Sequence, residues 1–337
     1  MATIHTGSAA DLDFLADIVR SGGLVAVPTE TVYGLAANAL DAAACARIFQ
    51  AKGRPAYDPL IVHVASRSHA GDVAIFNAPA ETLAARFWPG PLTLVLPRKA
   101  CVPDVVTSGR ATVAVRMPAH PLMRALLARS GLPLAAPSAN PFGYISPTTA
   151  EHVQTGLGDR IEHILDGGPC TVGVESTIVD VRDPADPIVL RPGGLPLEAL
   201  ERALGRPVRL HRPTPPSPDQ APAHPEAELA PGMLERHYSP STPLVLREAP
   251  FSSDELRRPA PGVARVCLAR PPADSAGDVW WLSTAGNLEE AAHRLFALLR
   301  ELDRGAFKRI EAEPAPQTGL GFAINDRLRR AAARRAG

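Results

Sequence analysis

Between positions 207 and 243, ten of 37 residues are proline, against 36 in the 337 of the whole chain. Proline locks φ and has no N–H to give, so such a stretch builds neither a helix interior nor a central strand. It is predicted to be an extended, semi-rigid connector, dividing the chain into one unit over 1–206 and another over 244–337. Length agrees, because 337 residues exceed what a single hydrophobic core ordinarily serves. The second half of the connector, Pro231-Gly232-Met233-Leu234-Glu235-Arg236-His237-Tyr238-Ser239-Pro240, is not low-complexity. An inert spacer has no need of Met, His and Tyr together.

Both flanking units alternate helical and extended patterns. In the first, helices are predicted over 11–21, where Leu12, Leu15, Ala16 and Val19 share a face, and over 41–51, 80–87, 122–128 and 197–204. Strands are predicted over 24–27, where Pro28 stops the run, and over 60–64, 93–96, 112–115, 132–135, 178–181 and 188–190. A mixed α/β sheet is the architecture such an order supports. In the second unit, strands over 244–246, 263–268, 279–282 and 309–312 accompany a helix over 288–303 and a closing helix from about position 323. A small Rossmann-like, doubly wound domain is expected. It has no Gly-x-Gly-x-x-Gly after its first strand, so no dinucleotide site is expected there.

Lys plus Arg equals Asp plus Glu at 35 each, which leaves no overall electrostatic footprint for nucleic acid. The tail is locally basic (Arg327, Arg329, Arg330, Arg334, Arg335) and reads as a solvated helix face matching the helix dipole. The four cysteines, Cys45, Cys101, Cys170 and Cys267, are dispersed. They form neither a disulfide framework nor a zinc motif and are expected to be small buried hydrophobes. No apolar run reaches bilayer length, and Met1-Ala2-Thr3-Ile4-His5 lacks the start of a signal peptide. A cytoplasmic location is the expectation.

The chemistry concentrates in Lys52-Gly53-Arg54-Pro55 and Ser138-Ala139-Asn140. A Lys and an Arg two residues apart, after a helix and before an apolar strand, put two cations at one loop mouth. A planar fork beside a compact point charge suits a polyphosphate. A Ser and an Asn in a second Pro-flanked turn add neutral donors. Alone, a Lys-x-Arg is more simply a solvated basic turn.

Further stretches occur in order around these two: Pro28-Thr29-Glu30-Thr31-Val32-Tyr33-Gly34-Leu35, Pro59-Leu60-Ile61-Val62-His63-Val64, Gly173-Val174-Glu175-Ser176-Thr177-Ile178-Val179-Asp180 and Arg191-Pro192-Gly193. Together they resemble the YrdC-like domain of L-threonylcarbamoyladenylate synthases. The connector and the ending Gly319-Leu320-Gly321-Phe322-Ala323-Ile324-Asn325-Asp326-Arg327-Leu328 resemble the long, two-domain form of that family. The resemblance implies an open twisted sheet with a concave groove. It also implies the reaction of L-threonine, bicarbonate and ATP to threonylcarbamoyl-AMP and pyrophosphate, with Mg2+ carried by the nucleotide rather than by side chains. The product would pass to a downstream tRNA-modifying threonylcarbamoyl transferase complex acting on tRNAs that read ANN codons. No membrane is involved, and stable direct tRNA binding is not required.

The resemblance also distributes roles. Lys52 and Arg54 become catalytic phosphate clamps, and Arg54, Asp58, Thr112, Ser138, Asn140, Ser146, Arg191 and Tyr238 the ATP side. Thr31, His63, Arg116, Ala136 and Ser176 become the L-threonine side. Asp58 stands where the family often shows Asn, and a carboxylate there would repel phosphate. It is expected on a ribose hydroxyl, a Mg2+ water or a neighbouring cation. Thr31 also fits a helix N-cap, His63 a structural hydrogen-bonder and Arg116 a surface ion pair rather than a carboxylate clamp. Glu175 is a partner for a nearby cation. The segment 231–240 would cross the groove as a lid, with Tyr238 on ATP or pinning the linker to one domain. Two other readings remain: a YrdC-like carbamoyltransferase, whose acylphosphatase-like and zinc-finger segments are absent here, and a double-stranded-RNA-binding or regulatory module.

Overall fold

The computed structural model describes residues 1–211, 230 and 237–333. Most of the predicted connector and lid (212–229 and 231–236), and the tail with Arg334 and Arg335, lie outside the described residues. Among the described residues eleven strands form the first sheet. They are β1 (Thr3–His5), β2 (Val25–Val27), β3 (Gly34–Asn38), β4 (Ile61–His63), β5 (Leu92–Pro97), β6 (Thr112–Arg116), β7 (Leu134–Ala135), β8 (His163–Leu165), β9 (Thr177–Asp180), β10 (Ile188–Arg191) and β11 (Arg209–Leu210). Their order is β1-β8-β2-β3-β7-β4-β6-β5-β9-β10-β11, with parallel and antiparallel neighbours mixed.

The predicted helices form, each stopped and started by local chemistry. Ser8 and Asp11 make a reciprocal capping box at the start of helix Ala9–Arg20, which buries Leu12, Leu15, Ala16 and Val19. Asp41 caps helix Ala42–Lys52 through the amides of Ala43 and Ala44. Strand alternation sends Ala26, Leu35 and Ala37 into one apolar layer and Val25, Val27 and Ala36 into the other. The sheet is thus buried on both faces.

The sequence pattern missed β1, β3 and β8, and helices Arg67–Val73, Asp104–Thr107, Ala150–Leu157 and Ser253–Arg257. Strand β3 reads Gly-Leu-Ala-Ala-Asn, residues of low strand propensity, and it exists because β2 and β7 pair with it on either side. Within the stretch read as connector, β11 pairs parallel to β10. It is an edge strand, the place where a preceding proline costs no ladder bond.

Four parallel strands, β12 (Leu244–Leu246), β13 (Val263–Cys267), β14 (Val279–Trp281) and β15 (Arg309–Ala312), form the second sheet in the order β12-β15-β13-β14. Ala264, Val266 and Ile310 face the helices Leu288–Asp303 and Gly321–Ala332, while Cys267 packs with Phe251 and Leu256 in a smaller cluster. The expected doubly wound unit is therefore present. Its larger cluster does not end at the unit's edge: Val32, Ile145, Val174 and Tyr238 join it. Cys45, Cys170 and Cys267 are buried as expected, whereas Cys101 is exposed. No described helix is long and apolar enough to cross a membrane.

Candidate functional site

A cleft with about 480 Å³ of empty space, open solvent at its mouth included, lies over the first sheet. Its floor follows from strand periodicity. Strands β4 and β6 run parallel in register, pairing Ile61 with Ala114 and His63 with Arg116. Residues two apart share a face, so His63 and Arg116 rise from the same side at the carboxyl ends of their strands. Ligands of open α/β sheets characteristically sit at that edge.

One half of the cleft is built around Arg116, which is 3 % exposed. Its guanidinium lies 2.7 Å from Glu30 Oε1, donates to Thr31 Oγ1 at 2.9 Å, and reaches the Gly90 carbonyl at 3.3 Å. Burial alone would raise the Glu30 carboxyl, but Arg116 facing it and the Ala119 amide hold it below its ordinary value. His63 is driven down to about 3 by burial and by the charge of Arg116, so it is neutral at physiological pH. Its Nδ1 faces the Ile61 carbonyl at 3.2 Å, which can only accept. Nδ1 therefore carries the proton and Nε2 remains an acceptor. Ser176 Oγ lies 2.7 Å from Thr93 Oγ1, and Arg191 Nη2 donates to the Ser176 carbonyl at 3.0 Å. The ion pair weighed as the alternative reading of Arg116 exists, but it is buried rather than at the surface.

On the other half Arg54, Ser138, Arg191 and Tyr238 line the cleft. Arg54 Nη2 lies 2.8 Å from Asp58, a neighbouring cation being one of the three partners expected of that carboxylate, and burial lowers the Arg54 pKa against that pull. Lys52 departs from expectation. Its ammonium donates to the carbonyls of Ser138 and Asn140 at 2.6 Å each, behind the cleft wall. The two cations do not share an open loop mouth, because a buried ammonium needs acceptors and the second motif turn supplies them. Lys52 thus splints one motif to the other.

Asn140 is likewise turned into its own loop, donating to Pro141 and Tyr144 carbonyls at 2.8 and 2.9 Å. Ser146 Oγ donates to Glu175 Oε1 at 2.5 Å. Neither borders the cleft, whereas Thr31, Ala136 and Ser176 do. Thr112 stands apart: it opens β6 opposite Pro97, at the strand end away from Arg116.

Tyr238 seals the site. It takes φ +61°, unusual for a residue with a side chain. Its ring lies 4.0 Å from His237, 5.5 Å from Phe296 and 5.0 Å from the Arg327 guanidinium. Such strain persists only where the surroundings over-determine it. Tyr238 borders the cleft and also packs into the apolar cluster beside Phe296. Among the described residues the Tyr238 hydroxyl and His237 Nδ1 are buried with no hydrogen-bond partner.

Four participants escaped the sequence reading: Glu30, Thr29, His237 and Arg327. Glu30 had a signal, a carboxylate amid the apolar start of a motif. Arg327 had the opposite one, since the basic tail reads as a solvated face. That expectation is corrected: Arg327 is fully buried and Arg330 nearly so. Arg327 Nε donates to Glu175 Oε2 at 2.6 Å. Burial opposes the Arg327 charge, but Tyr238, Glu175 and Asp326 outweigh it and raise its pKa. The nearby motif loops also touch at backbone distance. A Cβ on Gly193 would lie 2.3 Å from the Glu175 carbonyl, and one on Gly173 (φ +81°) 2.4 Å from the His293 Cα.

An α/β scaffold with a guanidinium–carboxylate half and a cation-lined half facing one cleft has the charges to receive a zwitterion beside an anion. The Sua5/YciO/YrdC profile, described as "Telomere recombination", matches residues 17–193. A profile described as "Threonylcarbamoyl-AMP synthase, C-terminal domain" matches residues 195–333. The threonylcarbamoyl-AMP synthase of Pyrococcus abyssi is 45% identical, covering 94% of this chain and 92% of its own. That of Bacillus subtilis is 43% identical, covering 94% and 91%. The crystal structure of P. abyssi Sua5 complexed with L-threonine superposes with a TM-score of 0.84 at 43% identity, covering 98% of this chain and 97% of that one. The chain belongs to the Sua5/YciO/YrdC family, in its long form with a Sua5-type C-terminal domain.

Proposed function

We propose that this chain joins L-threonine, bicarbonate and ATP into threonylcarbamoyl-AMP, releasing pyrophosphate. The observation carrying this reading is the cleft itself, where Arg116, Thr31, His63 and Ser176 face Arg54, Ser138, Arg191 and Tyr238 across one cavity. A relative with the same fold is titled as an L-threonine complex. The Arg116 fork has N–H groups beyond those given to Glu30, Thr31 and Gly90, and these suit the threonine carboxylate. The neutral His63 accepts at Nε2 from the substrate hydroxyl or amine. Arg54 and Arg191 take the phosphates, and the orphaned Tyr238 hydroxyl and His237 Nδ1 find their partners in the bound nucleotide.

The threonine amine condenses with bicarbonate to a carbamate with loss of water. A carbamate oxygen then attacks the α-phosphorus, and pyrophosphate leaves. No nucleophilic side chain is needed, because alignment and fixed charge supply the rate. Mg2+ enters in this reading on the phosphates of ATP, as part of the substrate. Glu175, which borders the cleft, and Glu30, beside Arg116, each face a guanidinium. The catalytic unit is taken as 1–206, the linker as 207–243 and the C-terminal unit as 244–337. The product passes in the cytoplasm to a tRNA-modifying transferase complex.

The test is pyrophosphate release from ATP with each component withheld in turn. Release is expected only when L-threonine and bicarbonate are both present. Equal release without threonine, or turnover only with carbamoyl phosphate, refutes the assignment.

A further inference from the structure

One buried side chain of the C-terminal unit bears on three parts of the cleft's surround. Arg327, on helix Gly321–Ala332, donates from Nε to Glu175 Oε2 at 2.6 Å and from Nη1 to the Pro192 carbonyl at 2.9 Å. Its guanidinium sits 5.0 Å from the Tyr238 ring centroid. Beside its pair with Asp326 at 2.6 Å, these contacts are cleft residues or their chain neighbours: Glu175 precedes Ser176, Pro192 follows Arg191, and Tyr238 borders the cavity. Arg191 completes the circuit by donating to the Ser176 carbonyl.

We propose, on the reading given above, that Arg327 is a positioning residue for the reaction. It fixes Ser176, Arg191 and Tyr238 relative to one another, so that the amino-acid and nucleotide sides stay in register while the last helix is docked. Cohesion alone does not require it. The interface is already held by an apolar cluster in which Phe296, Leu295 and Ile324 pack against Val174, Ile145 and Tyr238. Moreover, a buried Arg–carboxylate pair is often no more stabilising than apolar residues of its shape. What a planar fork adds is direction: two donors aimed from one rigid group at two separate motif loops. The C-terminal domain therefore acts as part of the cleft's framework.

The test uses the full chain carrying Arg327→Lys, and separately the pair Arg327→Met with Glu175→Gln. Three readings are taken on each: steady-state pyrophosphate release, L-threonine affinity by calorimetry, and thermal unfolding. Arg327→Lys keeps the charge and loses the fork, and kcat/KM is expected to fall roughly tenfold to a hundredfold. The double variant removes both buried charges. It is expected to unfold near the wild-type temperature, yet remain slow and bind L-threonine more weakly. Wild-type turnover and affinity in the folded double variant would overturn the proposal, since the pair would then serve stability alone. Wild-type kinetics in Arg327→Lys would overturn it equally. If Arg327→Lys fails to fold, the double variant decides. A wild-type chain that binds L-threonine but releases no pyrophosphate strikes the functional reading instead. The calorimetric comparison then decides the role of Arg327.

Discussion

Arg116 and Glu30 illustrate how a single residue can be legible in type and illegible in partner. The strand-end Arg is visible as a carboxylate clamp, and Glu30 stands out in its motif, but no local pattern says that the two, 86 positions apart, face each other. Their 2.7 Å contact makes the pair costly to break. Glu30→Ala strands a buried guanidinium and is expected to cost about 3–5 kcal/mol, read as a lowered urea midpoint together with lost L-threonine affinity. Replacement that left both unchanged would show the pair to be incidental. His63 makes a second prediction. Its folded pKa of about 3 lies below the unfolded value, so the unfolded chain binds the extra proton between the two. Stability from this group is fully present above pH 6.5 and is lost as pH falls towards 3, at about 1.4 kcal/mol per unit. His63→Gln should flatten that slope in urea melts run between pH 6.5 and 4, and an unchanged slope would contradict the burial argument.

At the scale of elements, boundaries followed the chemistry of caps and breakers. Helix 288–303 was read to the residue because Asn287 caps it and its apolar spacing is unbroken. The helix before the Lys-x-Arg motif carries more than secondary structure, since its last residue, Lys52, anchors the Ser138 turn. Asp41→Ala removes the cap from that helix and is expected to cost about 1 kcal/mol, measurable as a shift in the denaturation midpoint. Strand β3 shows the limit of local reading. Gly-Leu-Ala-Ala-Asn carries no strand signal of its own, and only pairing on both sides makes it one.

For the molecule as a whole, the two sheets are separate but the packing is not. Tyr144 donates to Asp303 at 2.7 Å. Arg300 reaches the carbonyls of Ile145 and Ser146, and Gly173 lies against the backbone of helix 288–303 at His293. Loops that wall the cleft are therefore held from the C-terminal side. Gly173→Ala adds a Cβ where backbone already stands, at a positive φ. It should cost more than about 1 kcal/mol and weaken L-threonine binding with it, since Glu175 and Ser176 follow on the same loop. Equilibrium denaturation and calorimetry on the one variant separate these effects, and unchanged values in both would remove the C-terminal unit from the account of the cleft.

The sequence by itself determined the alternation of helix and strand, the two-unit plan, the family and the residue types gathered at the motifs. All of these follow from local periodicity, turn chemistry and ordered spacing. Tertiary structure alone decided which charges meet. It turned Lys52 away from the cleft, paired Arg116 with Glu30, separated Thr112 from the rest, and drew Arg327 out of an apparently solvated tail onto the cleft residue Glu175. The physical reason is burial: a charge or dipole taken out of water must find a partner. Which partner is near is settled by how distant segments pack, a relation no local stretch of sequence contains.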